Sequence, residues 1–209
     1  MHTLIKIESI QFRYLGLEGW SVRNCYDTIK SQKKEKVVLH MKDSSIGSLT
    51  KTAMMAAIVF VGIYLIKVPV PNGYTHLGDC FIFLGVLLLG TKKGSLAGAI
   101  GAAASDVLGG YMHWAVPTFF IKYIMAFIMG MFVDKLMPDF KWNWIVGSVA
   151  GGLMQCVLYT AFDCFMFGLA YGIAGIPSIV IQTINGIIFL CILVAVLSKS
   201  GALRKLKEM

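Results

Sequence analysis

Long apolar runs separated by short polar or proline-bearing breaks fill the chain from residue 49 onward, whereas residues 1 to 48 are mixed polar and charged sequence without a sustained helical period. A helix rises about 1.5 Å per residue, so about 20 apolar residues cross a hydrocarbon core of roughly 30 Å. By that measure the runs predict six helices, at 49-67, 77-91, 94-111, 116-137, 142-168 and 177-198. The expected architecture is an all-α membrane protein: a polar N-terminal extension at 1-48, a six-transmembrane-helix bundle at 49-199 and a basic tail at 200-209. Met41-Lys42-Asp43 offers an alternative start just before the first run, which makes residues 1-40 a candidate misassigned leader. Gly90-Thr91-Lys92-Lys93-Gly94 leaves room only for a tight turn between the second and third helices. Pro69, Pro71, Pro117 and Pro177 are expected at span ends, where a missing N–H does no harm.

Lys and Arg accumulate on the cytoplasmic side of membrane proteins. Of the 19 here, 17 precede or open the first run, lie at the second and fourth breaks or follow the last run; Lys67 lies at the opposite face and Lys122 within a span. Both termini are therefore expected in the cytoplasm, with the first, third and fifth loops outside. This bias accounts for the net charge of +8, which gives no reason to invoke nucleic acid. With 57% hydrophobic and 14% charged residues and a mean hydropathy of +0.73, the composition excludes a soluble globular domain. It fits a multi-pass protein of the cell membrane.

Against that apolar background a few polar residues stand out. Asp106 interrupts the small-residue run Gly94 to Gly110, and a carboxylate at membrane depth costs roughly 2.5 to 3.5 kcal/mol unless it meets a partner, water or ligand. Counting along the predicted helices puts Asp79, Asp106, Lys122, Asp163, Gln182 and Asn185 all in the outer half of the membrane, beneath loops carrying Tyr74, His76, Tyr111, His113 and Trp114. A cup polar at its base and aromatic at its rim suits a small molecule. Simpler readings exist for each residue: Asp79 fits a helix cap, Asp106 and Lys122 fit a structural ion pair, and Trp114 fits an interfacial aromatic belt. Convergence at one depth favours a site. Gly94, Gly98, Ala102, Asp106 and Gly110 recur every four residues and mark a face for close helix packing; Ala53 and Ala57 form a second small-residue pair.

Five scattered cysteines, Cys25, Cys80, Cys156, Cys164 and Cys191, have no metal-ligand spacing and read as apolar fillers. Gly85 to Lys92 superficially suggests a phosphate loop but has Thr-Lys where Gly-Lys-Ser/Thr is required. No hydrolase or protease motif occurs, so neither catalysis nor a cofactor is expected.

The run Leu77-Gly78-Asp79 to Gly90, then Gly94 to Gly101, Asp106, Gly109-Gly110-Tyr111, Thr118 and Ile121-Lys122, resembles the substrate-binding S component of energy-coupling factor (ECF) vitamin transporters, riboflavin-type branch. The match covers roughly residues 50 to 198, with Gly78 to Lys122 its specific part. The resemblance implies a subunit that captures a vitamin or vitamin precursor at the outer face and delivers it when a transmembrane coupling (T) component and two ATPase subunits drive it. It further implies that Ala53 and Ala57 engage the coupling component. Where related sequences often place an Asn shortly after the proline of the last helix, this chain has Pro177-Ser178-Ile179 before Gln182. Three Asp and one Lys at one depth favour a neutral or weakly cationic donor of hydrogen bonds, and the aromatic rim favours a flat ring. An aminopyrimidine or pyridoxine type is expected, with riboflavin as competitor: Asp106 and Lys122 as the floor, Asp79, Asp163, Gln182 and Asn185 around the ligand, Trp114 and His113 over it. A stand-alone ion- or proton-coupled carrier and a purely structural membrane subunit are the other classes.

Overall fold

A computed structural model describes residues 46–70 and 73–199. The leader before residue 46, the tail from residue 200 and the side chain of Tyr74 lie outside the described residues. The chain divides into two units, Met1–Ser48 and Leu49–Met209, and the second is a helical bundle. The described residues form helix α1 (Ile46–Tyr64), a hairpin of strands β1 (Lys67–Val70) and β2 (Gly73–His76), then helices α2 (Gly78–Leu89), α3 (Thr91–Leu108), α4 (Met112–Met131), α5 (Asn143–Phe167) and α6 (Leu169–Lys199). α4 runs on through a π-helical turn, Phe132–Leu136.

Six helices are present among the described residues, but only four, α1, α4 with its π turn, α5 and α6, are long and apolar enough to cross a membrane. At 12 residues α2 reaches only about 18 Å, short of the roughly 30 Å of hydrocarbon. It is apolar on every side, which is the pattern of a core helix. Gly78 to Cys80 and Ile82 to Val86 are indeed buried, and α2 packs against α3, α4 and α6.

The small-residue stripe of α3 is what lets it lie against α2. A Cβ on Gly94 would stand 2.5 Å from the Cα and N of Val86, so no larger residue fits without moving backbone. On α1, Met55, Ala56, Val59 and Ile63 face this core while Ala53 and Ala57 stand on the exposed side.

Three expectations need correction. The loop between the first two helices is an antiparallel hairpin, with Lys67 opposite His76 and Pro69 opposite Tyr74. Val68, Val70 and Thr75 supply the β-branched residues, and Pro69 is tolerated because each strand of a two-stranded ribbon has a free edge. Pro117 and Pro177 lie inside α4 and α6 rather than at span ends. Pro117 falls in the second turn of α4, where the cost is a single hydrogen bond. The fifth loop is shorter than expected: Gly168, at φ 93°, alone separates α5 from α6, so residues 169 to 176 are helical.

Candidate functional site

α1 ends at Tyr64, α2 begins after the hairpin, α3 ends and α4 begins around Tyr111, and α5 meets α6 at Gly168; all of these junctions gather at one end of the bundle. A cavity of about 410 Å³ opens there. Its wall is built from helical repeats. On α4, Trp114 and Thr118 lie one turn apart; on α5, Tyr159, Asp163 and Phe167; on α6, Tyr171, Gly175, Ser178 and Gln182. Asp106 from α3, His113 from α4 and His76 from the hairpin complete the polar lining.

The aromatic wall is a packed cluster. The Trp114 ring lies 6.0 Å from Tyr159, 5.1 Å from Phe162 and 6.1 Å from Phe167, whose own ring is 4.9 Å from Tyr171. His113 sits 6.0 Å from Trp114 at the exposed rim. These residues therefore face a cavity as well as the interface belt expected of aromatic residues.

Beneath the cavity the same helical repeats continue into a fully buried clasp. Lys122 Nζ donates to Asp79 Oδ1 at 2.5 Å and to Gln155 Oε1 at 2.6 Å. Gln155 Nε2 donates to Asp79 Oδ2 at 3.0 Å and to Thr183 Oγ1 at 3.1 Å, and Gln182 Nε2 donates to Asp79 Oδ2 at 3.1 Å. One carboxylate thus ties α2 to α4, α5 and α6. The Lys122 ammonium also lies 5.6 Å from the centre of the Tyr159 ring, within cation–π range. Closeness of α6 at this level depends on Gly186, where a Cβ would meet Asp79 Cβ at 2.8 Å.

The geometry redistributes the roles expected of the polar residues. Lys122 forms its ion pair with Asp79, not Asp106. Asp79 does not cap α2 either: the capping acceptor is His76 Nδ1, which takes the Gly78 N–H at 3.1 Å. Asp106, His113, Trp114, Asp163 and Gln182 line the cavity, while Asp79 and Lys122 lie below it. Asn185, one turn beyond Gln182, is half-buried and does not line it. Gln155, Thr183, Tyr159 and Tyr171 were not expected at the site. The i, i+4 series Gln155, Tyr159, Asp163 and Phe167 along one apolar helix is the signal that points to them.

Asp163 is 7% exposed, and its Oδ1 has no hydrogen-bond partner among the described residues. A buried carboxylate oxygen of this kind is suited to receive a donor from outside the chain.

A family model described as the S component of ECF-type riboflavin transporters matches residues 43–199. A Pyrococcus woesei protein described as an uncharacterized protein in a gap 3′ region is 32% identical over 132 residues, covering 62% of this chain and 87% of that protein. The thiamine precursor transporter HmpT of Lactococcus lactis subsp. cremoris (strain MG1363) is 23% identical over 174 residues, 80% of this chain and 98% of its own length.

Proposed function

Because the chain belongs to the family of ECF-type riboflavin transporter S components, we propose that its cavity captures a small vitamin or vitamin precursor for uptake powered by partner subunits. It is a multi-pass membrane protein and a transporter subunit, not an enzyme. The observation that carries the reading is the cavity itself: about 410 Å³, walled by aromatics and lined by two carboxylates, Asp106 and Asp163, and the Gln182 amide. That volume lies in the range of roughly 300 to 1,000 Å³ typical of small-molecule sites. An aminopyrimidine or pyridoxine suits the carboxylate acceptors and the flat aromatic wall, and similarity to a thiamine precursor transporter favours the former over riboflavin. Asp106 and Asp163 accept hydrogen bonds from the ligand, Gln182 links it to the clasp, and Trp114 and His113 cover the ring.

The orientation follows from charge. Exposed Lys92, Lys93, Lys135, Lys141 and Lys199 lie at helix ends opposite the cavity. By the positive-inside rule that end and both termini are cytoplasmic, so the cavity opens outward. Six crossings then require α2 and α3 to traverse together with the hairpin. Ala53 and Ala57, exposed on α1, leave room for a helix of the transmembrane coupling component, which together with two ATPases supplies the energy.

Affinity purification from native membranes tests the class: a coupling subunit and ATPases should accompany the chain. Accumulation of substrate by this chain alone in ATP-free vesicles would instead establish the stand-alone carrier. Asp106→Asn should weaken equilibrium binding of the captured vitamin about tenfold or more, the scale of one hydrogen bond to a charged group. Unchanged affinity removes Asp106 from the site.

A further inference from the structure

We infer that the cavity reads its ligand at two separated ends, through the Asp163 carboxylate on α5 and the Gln182 carbonyl on α6, so that the ligand is a flat ring with an N–H or O–H donor at each end. This rests on the uptake reading above and narrows its substrate class. Two glutamines meet the Asp79 carboxylate, and only one of them is spent. Gln155 is 0% exposed, donates from Nε2 to Asp79 and Thr183, and accepts from Lys122 at Oε1. Gln182 also turns Nε2 to Asp79 Oδ2, at 3.1 Å, and among the described residues this is its one side-chain hydrogen bond. A carboxylate only accepts, so the amide is held with Oε1 away from Asp79. Gln182 lines the cavity, and its carbonyl is the acceptor left for an occupant.

The second acceptor stands nearer the mouth. Asp163 lines the same cavity, is 7% exposed, and has an Oδ1 without a hydrogen-bond partner among the described residues. The close contacts between α5 and α6 set their antiparallel register: a Cβ on Gly152 would run into Thr183, and one on Gly172 into Cys164. Asp163 therefore stands at the level of Gly172, ten residues before Gln182, which is about 15 Å along a helix axis at roughly 1.5 Å per residue. Side chains lean toward the N-terminus of their own helix. Since α5 begins at the end of the bundle away from the cavity and α6 begins at the cavity end, Asp163 leans down and Gln182 leans up, toward each other. Even with both side chains fully extended, several ångströms remain between the two oxygens. That gap is too wide for a single donor group and suits one substituted ring with a hydrogen bond of about 3 Å at each end. Tyr159, one turn below Asp163, and Trp114, whose ring is 6.0 Å from it, supply the aromatic surface in between. A ring with only one polar end leaves one of the two oxygens enclosed without a donor, which is unfavourable.

Neutral probes of one outline separate the ends. 4-Aminobenzyl alcohol carries a donor at each end of its ring, whereas 4-methylaniline and 4-methylbenzyl alcohol carry one apiece. Binding of each to the purified full chain in nanodiscs is read by equilibrium dialysis, with empty nanodiscs as the blank. The wild type should bind the two-donor probe about fivefold or more tightly than either single-donor probe, the scale of one added hydrogen bond. Asp163→Leu and Gln182→Met should each bring the two-donor probe to within about twofold of one single-donor probe, and not the same one, because each removes a different acceptor. Equal binding of all the probes by the wild type, no measurable binding of the two-donor probe, or a two-donor advantage that survives in either variant overturns the inference. The wild-type comparison needs no variant, so poor folding of either one does not protect it. Equal binding with coupling subunits still co-purifying would sink the two-ended ligand and leave the uptake reading standing.

Discussion

Replacing Lys122 with Met should be among the most damaging single changes to this protein. The substitution keeps most of the side-chain volume but strands Asp79, 0% exposed, with only the two amide donors of Gln155 and Gln182. Removing one partner of a buried pair typically costs about 3 to 5 kcal/mol, because the charge left behind is uncompensated. The expected result is a large drop in the thermal midpoint of the detergent-solubilised protein, or loss of folded material altogether. Adding Asp79→Asn to Lys122→Met should restore most of the midpoint, since the Gln donors still find an acceptor and no buried charge remains. Adding Asp106→Asn should not. A double-mutant cycle thereby reports which carboxylate Lys122 serves, and rescue by Asp106→Asn rather than Asp79→Asn would refute the clasp described here.

The second large effect is expected where α2 and α3 touch. In Gly94→Ala the new methyl would lie 2.5 Å from backbone atoms of Val86, whereas in Gly85→Ala, on the facing helix, it would lie 3.1 Å from Cγ of Met55, a flexible side chain that can give way. Ala is the better helix former by about 1 kcal/mol, which offsets part of the strain in both. Overpacking costs typically about 1 to 3 kcal/mol and more when nothing can yield. Gly94→Ala should therefore fall at or beyond the upper end of that range, with Gly85→Ala close to neutral. Similar thermal midpoints for the two variants would mean that α2 and α3 are not held at backbone contact.

The contrast between these two predictions also shows which features the linear pattern encodes. Helix packing at Gly94 was legible, because a four-residue repeat of small side chains specifies a face whatever lies against it. The identity of the partner of Lys122 was not. Asp79 and Asp106 lie at similar depth on neighbouring helices, and the choice depends on the rotation of α2, a helix apolar all round whose sequence marks no preferred face. Gln155 escaped notice for a related reason: a single amide among Gly151, Gly152, Leu153 and Met154 reads as an isolated polar residue until Tyr159 and Asp163 are counted on the same stripe. The hairpin between α1 and α2 was hidden because Pro69 and Pro71 read as breaks, while four-residue strands are too short for an alternating pattern to stand out. The N-terminal turns of α6 were missed because Gly-rich sequence before Pro177 imitates a loop. Close packing decides otherwise, since a Cβ on Gly172 would run into the side chain of Cys164.

The polar residues expected at one site lie at one end of the bundle in two layers. Asp106, Asp163, Gln182, His113 and Trp114 come together around one cavity, whereas Asp79 and Lys122 lie one layer deeper and hold the helices that form it. Separating the layer that lines the cavity from the layer beneath it keeps Asp79, Lys122, Gln155 and Thr183 buried among the helices. Gln182 belongs to both, lining the cavity and donating to Asp79.

The central claim, that this cavity holds the cargo, is tested most directly by mass spectrometry of small molecules released when the purified chain is denatured. The account predicts one ring compound at near one-to-one ratio with wild-type protein. It predicts almost none from Ser178→Trp, in which an indole would occupy the cavity without touching the clasp. No compound in the wild type, or the same compound retained at the same ratio in Ser178→Trp, would contradict it.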